Sequence, residues 1–153
     1  MRLLCDEMLL RLGRWLRAAG YDTAIAEDGA ADADLLARCA VENRVLLTRD
    51  LRLAARAEAA TVPVVRLAAG DAAGQARELK AALDIDWLRA PFARCLVDNA
   101  PLDPAPPEAA AEVPPSSRAA GGPLRRCPMC GRLYWPGGHV RRMQARLAAW
   151  KRD

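Results

Sequence analysis

The sequence predicts an α/β fold: a parallel sheet flanked by helices, with a small module at the C-terminal end. Three observations carry that expectation. Short apolar runs and amphipathic stretches alternate four times through residues 1–90, the pattern of strand–helix units joined by right-handed crossovers. The third run, RVLLT, is apolar on both faces, as strands buried in a parallel sheet are. Near Pro91 the pattern stops, and a proline-rich stretch and a turn-rich segment containing CPMC follow.

Taken in order, Leu3 to Cys5 reads as the first strand, followed by Asp6 and Glu7 and then by a helix ending at Gly20. Met8, Leu9, Leu12, Trp15, Leu16 and Ala19 form its apolar stripe, with Arg11, Arg14 and Arg17 away from the stripe's centre. Glycine takes the left-handed conformation without steric cost, so Gly20 is a natural stop. A second strand spans about Asp22 to Ala26. The acidic turn EDGAADAD leads into a helix with Leu35, Leu36, Cys39 and Ala40 inward, ended by Asn43. The third strand is Arg44 to Thr48, and Asp50 opens the helix that carries Leu51, Leu53, Ala54 and Ala57. TVPVVRL supplies a fourth strand, with Pro63 near its start, where a missing N–H is tolerated. A helix from about Asp71 to Leu83 closes the unit. Residues 1–90 are expected as one domain and 91–153 as a smaller module. That module would hold a proline-rich insertion at about 101–117, with six prolines, and a basic helix from roughly Val140 to Arg152.

Composition narrows the function classes. No apolar run reaches the length of a transmembrane helix, and the chain starts with strand-like residues instead of a charged and then apolar leader. A cytoplasmic protein with no membrane partner is the expectation. Five cysteines, an odd number, speak against a disulfide framework, and Cys5 and Cys39 fall on apolar faces as small core residues. From Arg118 onward the chain holds nine basic residues against one acid, Asp153. That asymmetry suits a polyanionic partner such as RNA, although a solvated arginine-rich surface reads the same way.

Asp6 and Asp50 follow the first and third strands, and the acidic turn with Glu27, Asp28, Asp32 and Asp34 follows the second. If strands one and three are neighbours, these acids reach the C-terminal rim of one sheet, where open α/β sheets bind ligands. Converging carboxylates suit Mg²⁺ or Mn²⁺, which can act on a phosphodiester. Each aspartate taken alone reads first as a helix cap. Arg11 and Arg14, one and two turns into the first helix, are candidate phosphate contacts or solvated surface.

Cys127 and Cys130, followed by Gly131, have the form of a zinc-knuckle turn. Cys95 in RCLVDN offers half of a second pair, but Asp98 stands where the pair would be completed. Asp98 through a carboxylate oxygen, or His139, the only histidine, are the candidates for a fourth zinc ligand. A degenerate knuckle packed on Leu133, Tyr134 and Trp135 is the alternative.

The stretches DEMLLRLGRWLRAAGYDT, DADLLARCA, RVLLTRD, RCLVDNAPL and RCPMCGRLYWPGGHVRRM together resemble the Mut-seven C-terminal RNase domain family. The resemblance implies a PIN-like nuclease fold followed by a zinc ribbon. It also implies a metal-dependent endoribonuclease whose acids fall on Asp6, Asp32 and Asp50, with Asp28 and Asp34 as neighbouring candidates for the second position. The family's ribbon has a full first cysteine pair, from which Asp98 departs. The expected protein is therefore an Mg²⁺- or Mn²⁺-dependent ribonuclease with a structural zinc. Its basic C-terminal segment would hold the RNA backbone, and Tyr134 or Trp135 would stack on an unpaired base. A non-catalytic RNA-binding module with a vestigial acidic rim is the rival expectation.

Overall fold

The computed structural model describes residues 1–118 and 121–153. Four strands, β1 (Arg2–Cys5), β2 (Asp22–Ile25), β3 (Val45–Thr48) and β4 (Val64–Arg66), pair in parallel in the order β2-β1-β3-β4. They alternate with helices α1 (Leu10–Ala18), α2 (Asp32–Glu42), α3 (Leu51–Ala59) and α4 (Ala72–Leu83). Leu3 pairs with both Thr23 and Val45, so β1 and β3 are neighbours and end at the same rim. Asp6 continues the ladder by one bond, its N–H donating to the Leu47 carbonyl at 3.1 Å.

Successive strand residues point to opposite faces, and both faces are buried. Leu3, Cys5 and Leu47 join Leu12, Leu16 and Leu79 in one apolar cluster; Leu4 and Leu46 join Leu35, Cys39, Leu53 and Ala57 in the other. Cys5 and Cys39 are core residues, as expected. The reading of α1 needs correction at two positions. The chain makes a tighter 3-10 turn over Glu7–Leu9 before α1 begins, and this rotates Met8 out of the stripe to 64% exposure. Arg17, placed off the stripe, is buried. Ala40 of α2 also faces solvent instead of the core. Gly20 has φ of +97°, and a Cβ there would lie 2.6 Å from the Ala90 carbonyl oxygen, so both its conformation and its close approach exclude a side chain.

Two buried arginines fasten the sheet's N-terminal edge. Arg44 pairs with Asp22 at 2.7 Å and Glu42 at 2.5 Å and donates to the Leu3 carbonyl. Arg17 donates to the carbonyls of Thr23, Leu96 and Val97 at 2.8, 3.0 and 2.6 Å. The second arrangement ties the loop carrying Cys95 to the parallel sheet.

After residue 90 the chain forms a three-stranded antiparallel sheet from β5 (Asp103–Pro104), β6 (Arg125–Arg126) and β7 (Leu133–Tyr134). The stretch expected as a loose insertion has structure of its own: a 3-10 helix over Pro107–Glu112 and a short α5 (Pro115–Arg118), with Ala109 and Val113 buried. The final helix, α6 (Gly138–Arg152), carries Met143, Leu147 and Trp150 into the same cluster that holds Leu3 and Leu16. The Trp150 ring meets Trp15 and Trp87 edge-on, with centroids 4.9 and 5.0 Å apart. No described helix is long and apolar enough to cross a membrane.

Candidate active site and cysteine cluster

Asp6, Asp32 and Asp50 come from three separate segments and line one pocket of about 70 Å³ at the C-terminal rim of the parallel sheet, together with Glu7, Met8 and Glu27. Their local roles differ. Asp6 is buried and caps the 3-10 turn, accepting from the Leu9 N–H at 3.1 Å. Thr48, the last residue of β3, donates its hydroxyl to the other Asp6 oxygen and accepts the Asp50 N–H at 2.9 Å. A single hydroxyl thus links the two aspartates. Asp50 caps α3 through Oδ1, which accepts from Arg52 and Leu53 N–H at 2.6 and 3.3 Å. Its Oδ2 has no hydrogen bond among the described residues. Asp32, in the first turn of α2, makes no cap and pairs with Arg56 of α3 at 2.8 Å.

Capping and pocket-lining therefore coincide at Asp6 and Asp50. Burial pushes the Asp6 carboxyl above its ordinary value, and the bonds from Thr48 and the backbone only partly oppose that shift. Asp28 and Asp34 are exposed and do not line the pocket, which leaves Asp32 and Glu27 as the acids that the turn delivers there. Glu7 fixes the turn itself by accepting the Gly29 N–H at 2.7 Å. The lining acids offer oxygens only, the donor type a hard divalent cation takes, with unshared acceptor capacity at Asp32 and Asp50 among the described residues, but the ligand atoms of Asp6, Asp32 and Asp50 do not all lie within 4.8 Å of one another.

Cys95, Asp98, Cys127 and Cys130 form the second constellation. Their ligand atoms all lie within 4.8 Å of one another, and among the described residues this is the one group of three or more such side chains close enough to hold a metal ion. Two loops build it. In the first, Asn99 takes a left-handed conformation (φ 65°), and Cys95 N–H closes on the Ala100 carbonyl at 2.8 Å. In the second, Gly131 at φ 72° lets its N–H reach the Cys127 carbonyl at 2.9 Å. Asp98 accepts from the Cys127 thiol at 3.3 Å and from Cys95 at 3.5 Å.

Burial opposes ionisation of Cys95, but the Tyr134 hydroxyl and the N–H groups of Asp98 and Val97 outweigh it and hold the thiol below its ordinary value. The hydrogen bond to Asp98 pushes Cys130 up to about 11. His139, weighed as a fourth ligand, is not in the group: it stands at the start of α6, and Asp98 takes the position.

Arg11 and Arg14 do not line the acidic pocket. With Trp15, Arg132, Trp135 and His139 they line a separate cleft of about 890 Å³. Tyr134 is not available for stacking, because its buried hydroxyl donates to Cys95 Sγ at 3.2 Å and accepts the Leu96 N–H at 2.9 Å. The sequence showed neither the link that Thr48 makes between Asp6 and Asp50 nor the buried role of Arg17. The hydroxyl residue two positions before Asp50 was the available signal for the first, and an arginine set between Leu16 and Ala18 for the second.

Fold and site define a parallel α/β protein with an acidic rim, coupled to a cysteine-cluster module. The family model of the Mut7-C RNAse domain matches residues 1–147, and the chain belongs to that family. Family membership points to a nuclease with RNA as substrate. No curated protein and no solved structure matches the chain.

Proposed function

We propose that the protein is a divalent-metal-dependent ribonuclease that cuts within RNA strands and whose hydrolytic site is the pocket of Asp6, Asp32 and Asp50. The observation that carries this reading is that three acids from three segments line one pocket at the sheet's C-terminal rim. Those three residues would hold Mg²⁺ or Mn²⁺ by drawing together on the ion, since without it their ligand atoms do not all lie within 4.8 Å of one another. Bound there, such an ion supplies charge neutralisation at the phosphodiester and activation of water. The chain's own residues do the positioning. Thr48 fixes the Asp6 carboxylate, the α3 cap fixes Asp50, and Arg56 holds Asp32. A carboxylate oxygen left open at Asp50 or Asp32 would orient the attacking water.

In the same reading Cys95, Asp98, Cys127 and Cys130 form a structural zinc site that makes residues 91–153 a ribbon-like module. All five cysteines are free, which suits a reducing, cytoplasmic setting.

Asp50→Asn is the cleanest test, since asparagine also caps helices well and α3 should persist. With Mn²⁺ or Mg²⁺ present, the wild type should cut a circular RNA, and Asp50→Asn should lose about a hundredfold or more of that rate. Equal rates in the two proteins would leave the non-catalytic RNA-binding alternative standing.

A further inference from the structure

We propose that the cleft between α1 and the C-terminal module binds an unpaired RNA strand, with a base stacked on Trp135 and phosphates paired with Arg11, Arg14 and Arg132. The proposal deepens the ribonuclease reading and rests on it for the fate of the strand. The cleft, at about 890 Å³, is far larger than the acidic pocket, and residues from both parts of the chain line it. Arg11, Arg14 and Arg132 are exposed, and among the described residues none of them makes an ion pair or a side-chain hydrogen bond. Glu112, the acid in the lining, is already committed to Arg126 at 2.5 Å. The cleft is therefore cationic with its charges unspent, which fits a polyanion.

Its aromatic content selects the form of that polyanion. Trp135 is half-buried, and Gly137 packs so close behind it that a Cβ there would lie 2.6 Å from the indole nitrogen. The ring is wedged in place while one part stays open to the cleft. Fixed aromatic rings beside arginines are the means by which proteins hold unpaired bases, whereas an A-form duplex presents a stacked, inaccessible interior. Position fits as well. Arg11 and Trp15 lie five and nine residues beyond Asp6, along the helix that Asp6's turn initiates. At about 2.0 Å per residue through the 3-10 turn and about 1.5 Å through α1 that is roughly 9 to 15 Å of rise, a distance that one strand can span.

The test is fluorescence anisotropy with a short labelled oligouridine and a hairpin duplex, without added Mg²⁺ or Mn²⁺ so that the strand stays whole. The oligouridine should bind several-fold tighter than the duplex. Trp135→Leu should weaken it about tenfold while Trp135→Phe keeps most of the affinity. Arg11→Gln and Arg14→Gln, at exposed positions that leave folding intact, should each lower the salt slope of log K by about 0.7. Unchanged binding in the arginine variants, or equal binding of the duplex, overturns the proposal. A parallel cleavage assay with Mn²⁺ separates the two readings. Strand binding in the cleft without cleavage sinks the ribonuclease reading alone; cleavage with unaltered binding in the cleft variants sinks this proposal alone.

Discussion

Asp6→Asn is expected to reduce RNA cleavage by about a hundredfold or more, in a protein that melts no lower than the wild type in metal-free buffer at neutral pH. The two halves of that expectation share one cause. Asp6 is 4% exposed, and burial raises its carboxyl above the usual range. A raised carboxyl contributes stability below its unfolded value and loses that contribution as pH rises through the folded value. At neutral pH the metal-free protein therefore carries an unfavourable buried charge at Asp6, which asparagine removes. Asparagine still accepts the Leu9 N–H, and the Thr48 oxygen can accept from both the new amide and Asp50 N–H. A bound cation reverses the balance by favouring the ionised form. The acid limb of cleavage should consequently lie above the ordinary carboxylate range and move to lower pH as Mn²⁺ is raised. Cleavage rates and melting curves over a pH series, for wild type and Asp6→Asn, check both halves. A large loss of stability in the variant would make Asp6 a structural cap and little else.

Cys127→Ser should abolish zinc retention and destabilise the protein by about 3 kcal/mol at zinc concentrations near a hundred times Kd. Cys127 is buried and belongs to the apolar cluster that also holds Tyr134, Leu147 and Trp150. Loss of the metal should therefore loosen the seat of α6 as well as the turn. The set of three thiols and one carboxylate carries a second expectation. Thiolate is the softer and better zinc donor, so Asp98→Cys should tighten zinc. With Cys130 held up at about 11 by Asp98, zinc must displace its proton, and affinity should climb with pH. Zinc content by mass spectrometry and melting temperature with and without a chelator measure these effects. Equal melting temperatures with and without zinc would make the cluster a hydrogen-bonded knuckle.

The parallel sheet was legible in the sequence because each of its elements announces itself locally. RVLLT can only be a buried strand beside LLC, and Asp50, Asn43 and Asp71 mark helix ends by their capping chemistry. The acids at the rim were legible for the same reason, since a strand's end fixes where the next residue goes. Interactions between distant segments were not. Nothing in Thr48 alone shows that it joins Asp6 to Asp50, and Arg17 looks like a surface residue until the carbonyls of Leu96 and Val97 arrive, about eighty positions later. The cleft of Arg11 and Trp135 is likewise a product of how the C-terminal module seats on α1, which no local pattern records. His139 misled because the spacing after Cys130 suggested a ligand, while the helix it begins carries it to the cleft.

Anomalous scattering from crystals of the full chain soaked in Mn²⁺ decides whether the acidic pocket holds the ion. A manganese peak is expected in the pocket bounded by Asp6, Asp32 and Asp50, absent from crystals of Asp6→Asn. An empty pocket in a wild-type protein that cleaves RNA under the same Mn²⁺ concentration would contradict that expectation.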